Sequence, residues 1–355
     1  MTTATDRADA LAERLFAATL GSLELYSIFL GTELGLYRAL ESRGPSSPTE
    51  LAERAGIAPR YALEWLEQQA VAGLLEVVPG DERRYALAPD HARVLAHPDD
   101  PAHVAPFAHM LVGIGGVLPQ VAEAYRTGAG VPYPAYGRAF RHGQGHINRP
   151  AFTHELPSDW LAAVPDVVAR LENVSHARIA DVGCGQGFST LALANAFLDA
   201  HVDGIDADEA SVADARANAV DAGLDGRVRF IAADAAALEG PYELIVILEA
   251  LHDMTDPVAA LRAARAALAP GGTVLVVDER VADSFTAPGD EVERMMYGWS
   301  VTHCLPTQLA EQPSAALGTV MRADTVRRLA ADAGYDRVDV LRIDNDFFRM
   351  YRLDP

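Results

Sequence analysis

The chain has 355 residues and a mass of 37.9 kDa, with half of its residues apolar and 22% charged; that is enough for two or three domains with sizeable cores and excludes wholesale disorder. Fifty acidic residues against 29 basic ones give a formal charge of −21, the reverse of the basic footprint expected of a nucleic-acid or anionic-membrane binder. All 29 basic residues are arginine, which excludes lysine Schiff bases and GK[ST] phosphate loops, and the two cysteines, Cys184 and Cys304, are too few for a disulfide framework or a four-cysteine zinc site.

The opening MTTATDRADALAERLF is charged and helix-patterned, unlike a signal peptide. Leu11, Leu15, Phe16, Leu20, Leu23 and Leu25 recur near helical spacing and predict a helix over 6–30. From Glu33 the texture changes to short helices: LGLYRALES, SPTELAERAGI and APRYALEWLEQQAVAGLL. Ser47-Pro48-Thr49-Glu50 carries the start signals of the second of these, a serine cap, a proline in the first turn and a glutamate at the third position. Two strand-like runs then flank Pro79-Gly80-Asp81 in EVVPGDERRYALAP, which completes a winged-helix pattern. Residues 1–100 are therefore expected to form a mostly helical winged-helix domain.

A winged helix invites a DNA-binding reading, and the charge opposes it. Between Glu33 and Asp90 ten acidic residues face six arginines, a net of −4, and the would-be recognition helix carries one Arg and two Glu. Phosphate contacts need Lys or Arg, so dimerisation and covering of a cleft are the expected roles, without nucleic acid.

Residues 101–160 predict a helical linker and cleft wall. VPYPAYGR and HGQGHINRP are rich in Gly, Pro and aromatics, and His142, His146 and His154 lie close in sequence. The longest apolar stretch, Val104 to Pro119, is interrupted by Pro106 and His109 and is too short to span a bilayer, so a soluble cytoplasmic protein without membrane contact is expected.

Residues 161–355 alternate strands and helices. RIADV (178–182), VDGID (202–206), VRFIA (228–232), ELIVIL (243–248) and TVLVVD (273–278) are short apolar runs, separated by helical stretches such as FSTLALANAFLDA. That alternation predicts an α/β fold with a doubly wound, Rossmann-like parallel sheet covered on both faces. The tail, TVRRLAADAGYDRVDVLRIDNDFFRMYRL, reads as helix, strand, turn, strand, and would complete a seven-stranded sheet with an antiparallel last pair.

The sharpest signal is Asp181-Val182-Gly183-Cys184-Gly185-Gln186-Gly187, between the first strand and its helix. Glycines there let a ligand approach the backbone. They fall at every second position, and Phe188 stands where the dinucleotide fingerprint G-x-G-x-x-G/A needs a small residue, which opposes an NAD-dependent oxidoreductase. Acidic residues then follow three successive strands in register: Asp206 can take ribose hydroxyls, Asp234 an adenine amino group, and Glu249 ends the fourth strand.

With these residues in place, 178–278 resembles the core of class I S-adenosylmethionine-dependent methyltransferases, and ALAPGGTVLVVDE resembles that family's helix, glycine turn and fifth strand. The whole chain is similar to the small-molecule O-methyltransferase architecture, in which a winged-helix domain and long helices form a homodimer. The resemblance implies S-adenosylmethionine as cofactor, held by Asp181, Gly183, Gly185 and Gly187 in the turn, by Asp206 at the ribose and by Asp234 with Ala235 at the adenine, Glu249 completing the set. Leu251-His252-Asp253-Met254 occupies the place of the HDW motif in plant-type enzymes, so His252 inherits the role of general base and Asp278, at the end of the fifth strand, that of orienting it. Met254 replaces the usual Trp, which puts the substrate packing in doubt. Residues 295–322 lie where the family keeps its substrate helix and loop, with Tyr297, Trp299, His303 and Glu311 as candidate contacts to a moderately hydrophobic small-molecule acceptor, in specialised metabolism. His303-Cys304 lack a partner pair of suitable spacing, so no metal is expected. Carbon, nitrogen or sulfur acceptors, with His252 only positioning substrate, and a non-catalytic cofactor-binding regulator remain the alternatives.

Overall fold

The computed structural model describes residues 4–355; the first three residues of the N-terminal stretch lie outside the described residues. In chain order the elements are α1 (Ala4–Glu33), α2 (Leu36–Arg43), α3 (Pro48–Ala55), α4 (Pro59–Val71), β1 (Glu76–Val78), β2 (Arg84–Ala86), α5 (Pro89–Leu95), α6 (Pro106–Thr127), α7 (Gly137–Glu155), α8 (Pro165–Asn173), β3 (Arg178–Val182), α9 (Phe188–Ala196), β4 (His201–Asp206), α10 (Glu209–Asp221), β5 (Val228–Ala232), β6 (Tyr242–Leu248), α11 (Pro257–Ala266), β7 (Leu268–Glu279), α12 (Glu291–Trp299), α13 (Leu305–Gln308), α14 (Ala323–Asp332), β8 (Arg337–Leu341) and β9 (Phe348–Asp354). They form two compact units, residues 1–115 with 138–150, and residues 116–137 with 151–355.

The first unit holds the winged helix. Ser47 caps α3 reciprocally: its Oγ accepts from the Glu50 N–H at 3.3 Å, and the Glu50 carboxylate accepts from the Ser47 N–H at 2.9 Å. β1 and β2 pair antiparallel across the turn that the sequence marks at Pro79-Gly80-Asp81. Leu36, Tyr37, Leu40, Leu51, Leu66 and Tyr85 form the core. Trp65 Nε1 donates to the Ser27 carbonyl, which fastens α4 to α1. Most of α1 stays bare: Leu11, Leu15, Phe16, Leu20, Leu23 and Leu30 are all exposed.

The segment expected to be a helical linker is mostly two long helices, α6 and α7. The glycines of HGQGHINRP do not break α7, and Gly143 there serves close packing, as does Gly113 in α6. A Cβ on Gly143 would lie 2.7 Å from the Met110 backbone nitrogen, and one on Gly113 would lie 2.5 Å from Phe140. His142 lies against His146 with ring centroids 3.8 Å apart and the planes tilted by 36°, and it meets His109 edge-on at 4.8 Å. α6 runs for 22 residues through Pro119, longer than the apolar stretch suggests. It and Asp6–Glu33 are long and apolar enough to cross a membrane by length and composition alone, and nearly half of the α6 window is buried within the protein.

The second unit is a seven-stranded sheet of order β5-β4-β3-β6-β7-β9-β8, parallel except for β9, which runs antiparallel to both β7 and β8. Leu244, Ile245, Val246 and Ile247 of the central β6 are completely buried, as a near-continuous apolar run between two helical layers requires. Their side chains divide between the two cores on either face. β7 is longer than its apolar run, since Leu268 pairs with Tyr242 across a register irregularity before Thr273 pairs with Leu244.

Candidate active site

The glycine turn joins β3 to α9 at the carboxyl end of the sheet, where such folds bind ligands. Gly183, Gly185 and Gly187 all lie in the left-handed region, at φ of 78°, 51° and 81°. A Cβ on Gly183 would meet the Ala250 side chain at 2.4 Å, and one on Gly187 would meet the Phe230 ring at 2.6 Å. Around Gly185 a Cβ would meet nothing within 4 Å, so the middle of the turn is an open cradle held by packing on both sides.

Asp181 lies behind that turn. Its Oδ2 accepts from the Ser189 and Thr190 hydroxyls, both at 2.6 Å, which ties β3 to the start of α9. Burial pushes its carboxyl up to about 6, against the pull of those hydroxyls. Its Oδ1 is buried without a hydrogen-bond partner. Asp206 braces the turn from β4: Oδ2 accepts from the Gly185 N–H at 2.8 Å and Oδ1 from the Asp208 N–H at 2.8 Å. Asp234 is exposed at the end of β5, where its Oδ1 accepts from the Ala236 N–H at 2.7 Å and starts the short turn Ala235–Ala237. Gln186 reaches Asp214 through Nε2 at 2.9 Å, leaving its buried Oε1 without a partner.

A second cluster stands at the ends of β6 and β7. Leu251–Asp253 form a single turn after β6. The His252 Nδ1–H donates to Asp278 Oδ1 at 2.8 Å, and the His252 backbone N–H donates to Asp278 Oδ2 at 3.3 Å. Asp278 is completely buried. The other ring nitrogen, Nε2, lies 3.4 Å from Asp253 Oδ1 and 3.8 Å from Cys304 Sγ. Burial lowers the basicity of His252, but Asp278 and Asp253 outweigh it and hold the imidazole well above its ordinary value. Glu249, in left-handed backbone at φ 55°, shares a hydrogen bond with Glu279. Burial raises both, Glu279 to about 8, so this carboxyl pair retains a proton at neutral pH.

Of the four residues expected to meet the acceptor, His303 reaches this cluster, its Nδ1 lying 3.4 Å from Cys304 Sγ; burial lowers it to about 4, so it is neutral. Trp299 is half-buried at the end of α12, while Tyr297 and Glu311 are exposed. Two neighbours of His303 lack any spacing signal. Tyr133 and Tyr136 pack edge-on against its ring, at 5.8 and 4.6 Å, and the Tyr136 hydroxyl donates to the Thr302 carbonyl at 2.8 Å. Their only announcement in sequence is the aromatic texture of VPYPAYGR.

Comparison with known proteins agrees with this fold. Residues 173–331 match the methyltransferase domain family, and residues 22–97 match the Rv2258c-like winged HTH domain. A ubiquinone biosynthesis O-methyltransferase of Stutzerimonas stutzeri is 36% identical over 107 residues, covering 29% of this chain and 45% of that protein. The chain thus spans less than half the length of the curated relatives it matches. Solved structures align over nearly the full chain. The mitomycin 7-O-methyltransferase has a TM-score of 0.68 at 20% identity, covering 99% of both chains. Human N-acetylserotonin methyltransferase, solved in complex with SAM, has a TM-score of 0.69 at 17% identity, covering 100% of this chain and 99% of that one. The protein therefore joins a winged-helix domain to a methyltransferase domain in the fold of S-adenosylmethionine-dependent O-methyltransferases, and S-adenosylmethionine is its expected cofactor.

Proposed function

We propose that the chain transfers the methyl group of S-adenosylmethionine to an oxygen of a small, moderately hydrophobic acceptor of specialised metabolism. His252 takes the acceptor proton and Asp278 orients it. The observation that carries this reading is the His252 Nδ1–Asp278 Oδ1 hydrogen bond of 2.8 Å between fully buried partners. It fixes the ring and leaves Nε2 as the atom that can accept a proton.

The open cradle at Gly185 and the braced carboxylate of Asp206 suit the cofactor; Asp234, Ala235 and Glu249 would complete its contacts, with Asp181 supporting the turn from behind. The cofactor supplies a methyl group on a positively charged sulfonium. A like charge beside an imidazolium favours the neutral form, so this site is protonated at rest and becomes basic when loaded. A phenol ionises near pH 10, so a positioned base adds to what proximity supplies. A nitrogen acceptor is the second reading, favoured by Glu249, Glu279, Asp253 and Asp278 crowding round a single imidazole, an acid-rich lining suited to an amine.

The bare apolar side of α1 fits a second copy of the chain, so a cytoplasmic homodimer is part of the proposal. The test is conversion of S-adenosylmethionine to S-adenosylhomocysteine over a panel of phenols, amines and thiols. His252→Ala should abolish turnover and keep S-adenosylhomocysteine affinity, while Asp206→Ala should weaken that affinity by at least about 10-fold, the scale of a lost charged hydrogen bond. Unchanged turnover in His252→Ala removes the base role. Equal affinities in the two variants remove the ribose assignment.

A further inference from the structure

His252, Asp253 and Cys304 present three different donor atoms to one point. His252 Nε2 is 3.4 Å from Asp253 Oδ1 and 3.8 Å from Cys304 Sγ, and all three atoms lie within 4.8 Å of one another. A tetrahedral ion with bonds of about 2.3 Å to sulfur and about 2.0–2.1 Å to nitrogen and oxygen has edges of about 3.5 Å and about 3.4 Å. His252 Nε2 already stands near those separations from both other donors. Asp253 Oδ1 is buried and has no hydrogen-bond donor. Asp278 holds the far nitrogen of His252 at 2.8 Å, the arrangement in which a carboxylate fixes the tautomer and orientation of a metal-binding histidine.

We propose that His252 Nε2, Asp253 Oδ1 and Cys304 Sγ form a three-ligand site for a zinc-class divalent cation, with one coordination position left open. The donor set selects the ion. A sulfur, an imidazole nitrogen and a single carboxylate oxygen suit zinc, whereas magnesium and calcium prefer oxygen alone. Charge agrees, because a thiolate and a carboxylate together neutralise a divalent ion. Three protein ligands with an open position are the pattern of a catalytic rather than a structural zinc. A hydroxyl or thiol bound there becomes more acidic, so the ion would bind the acceptor and let its proton leave to solvent; with Nε2 taken by the ion, His252 would then serve as a ligand and not as the base. The inference deepens the methyltransferase reading of this site and rests on it for its chemistry; ion binding itself stands apart from it.

The test uses the full chain, stripped with a chelator and titrated with Zn²⁺ against a competing chelator, then with Co²⁺ followed by absorption. The expected result is one ion per chain, with a thiolate-to-cobalt charge-transfer band and the strong visible bands of a four-coordinate ion. Cys184→Ser should keep the charge-transfer band and Cys304→Ser should lose it, so the two thiols of the chain are told apart. Asp278→Asn should weaken zinc by about 10–100-fold, the usual effect of removing an outer-sphere partner. Asp253, the most exposed of the three ligands, gives the second variant should Cys304→Ser fail to fold by circular dichroism, and Asp253→Asn should weaken zinc at least as much. No zinc uptake by the wild-type chain, or a charge-transfer band that survives Cys304→Ser, overturns the site. Titration with S-adenosylhomocysteine in the same preparations separates the two readings. Cofactor binding without zinc sinks only the metal, and zinc without cofactor binding sinks only the methyltransferase reading.

Discussion

Asp181 offers a direct test of what holds the glycine turn. Its carboxyl is fully buried and raised by burial from the usual 3.8 to about 6. The unfolded chain ionises it freely from pH 3.8 upward, whereas the folded chain resists ionisation until about pH 6. The folded state thus binds more protons across that window, and stability falls as pH rises through it. Each tenfold change in an ionisation constant corresponds to about 1.4 kcal/mol, so the full penalty is about 3 kcal/mol, of which about 2 kcal/mol develops between about pH 4.5 and about pH 7.5. Asp181→Asn removes the titration but keeps an oxygen for the Ser189 and Thr190 hydroxyls. The stability of the variant minus that of wild type should therefore rise by about 2 kcal/mol across that range, whatever constant offset the amide introduces. Urea unfolding of the ligand-free protein at several pH values measures this difference. A difference that stays flat with pH, or falls, refutes the reasoning.

Gly187→Ala should cost about 2–4 kcal/mol, the sum of a left-handed alanine and overpacking against Phe230; a loss below about 1 kcal/mol in chemical denaturation would show that the ring gives way. Glutamate at Phe16 and Leu20 together should convert a dimer into a monomer in sedimentation equilibrium. A wild-type chain already monomeric contradicts the role given to α1, and detergent-dependent solubility would point to a membrane instead. Asp253→Asn removes a carboxylate that keeps His252 protonated, so the acid limb of kcat/KM should move to lower pH; an unmoved limb means that His252 does not set it.

The sheet is legible in the sequence because its strands are buried on both faces and so read as unbroken apolar runs. Ile245 and Val246 are typical: adjacent in sequence, they enter the cores on opposite faces of the sheet, and both are completely buried. The capping box at Ser47 is legible for another reason, since its chemistry is confined to four consecutive residues. Gly113 and Gly143 show where this local legibility ends. A glycine that admits a neighbouring helix and a glycine that turns the chain leave the same letter, so the helix over HGQGHINRP resembles a linker. Glycine spacing announces the turn after β3, yet it does not separate the parts its glycines play: of the three only Gly185 has open space around it, while Gly183 and Gly187 are required by Ala250 and Phe230. Cys304 stands 3.8 Å from the Nε2 of a histidine 52 residues earlier, a juxtaposition made by tertiary packing with no spacing signature. Glu279, buried beside Asp278 at the end of β7, carries no motif that sets it apart from the other acidic strand ends of so acidic a chain.

The charges at the ends of β6 and β7 link these readings. Asp253, Asp278, Glu249 and Glu279 surround one imidazole, and the resting site compensates with protons, one on His252 and one shared by the glutamate pair. A cation arriving nearby takes over that compensation and lowers the pKa of every group it faces. S-adenosylmethionine carries a positive sulfonium and S-adenosylhomocysteine a neutral thioether of almost the same shape. Binding of the first should therefore release more protons than binding of the second, by up to about one per chain near neutral pH. Calorimetry in buffers of different ionisation enthalpy counts those protons directly. In Glu249→Gln the difference should shrink, because part of the proton reservoir is gone. Equal proton release by the two cofactor forms would mean that the sulfonium sits too far from His252 to influence it, and the route by which loading makes the base competent would fail with it.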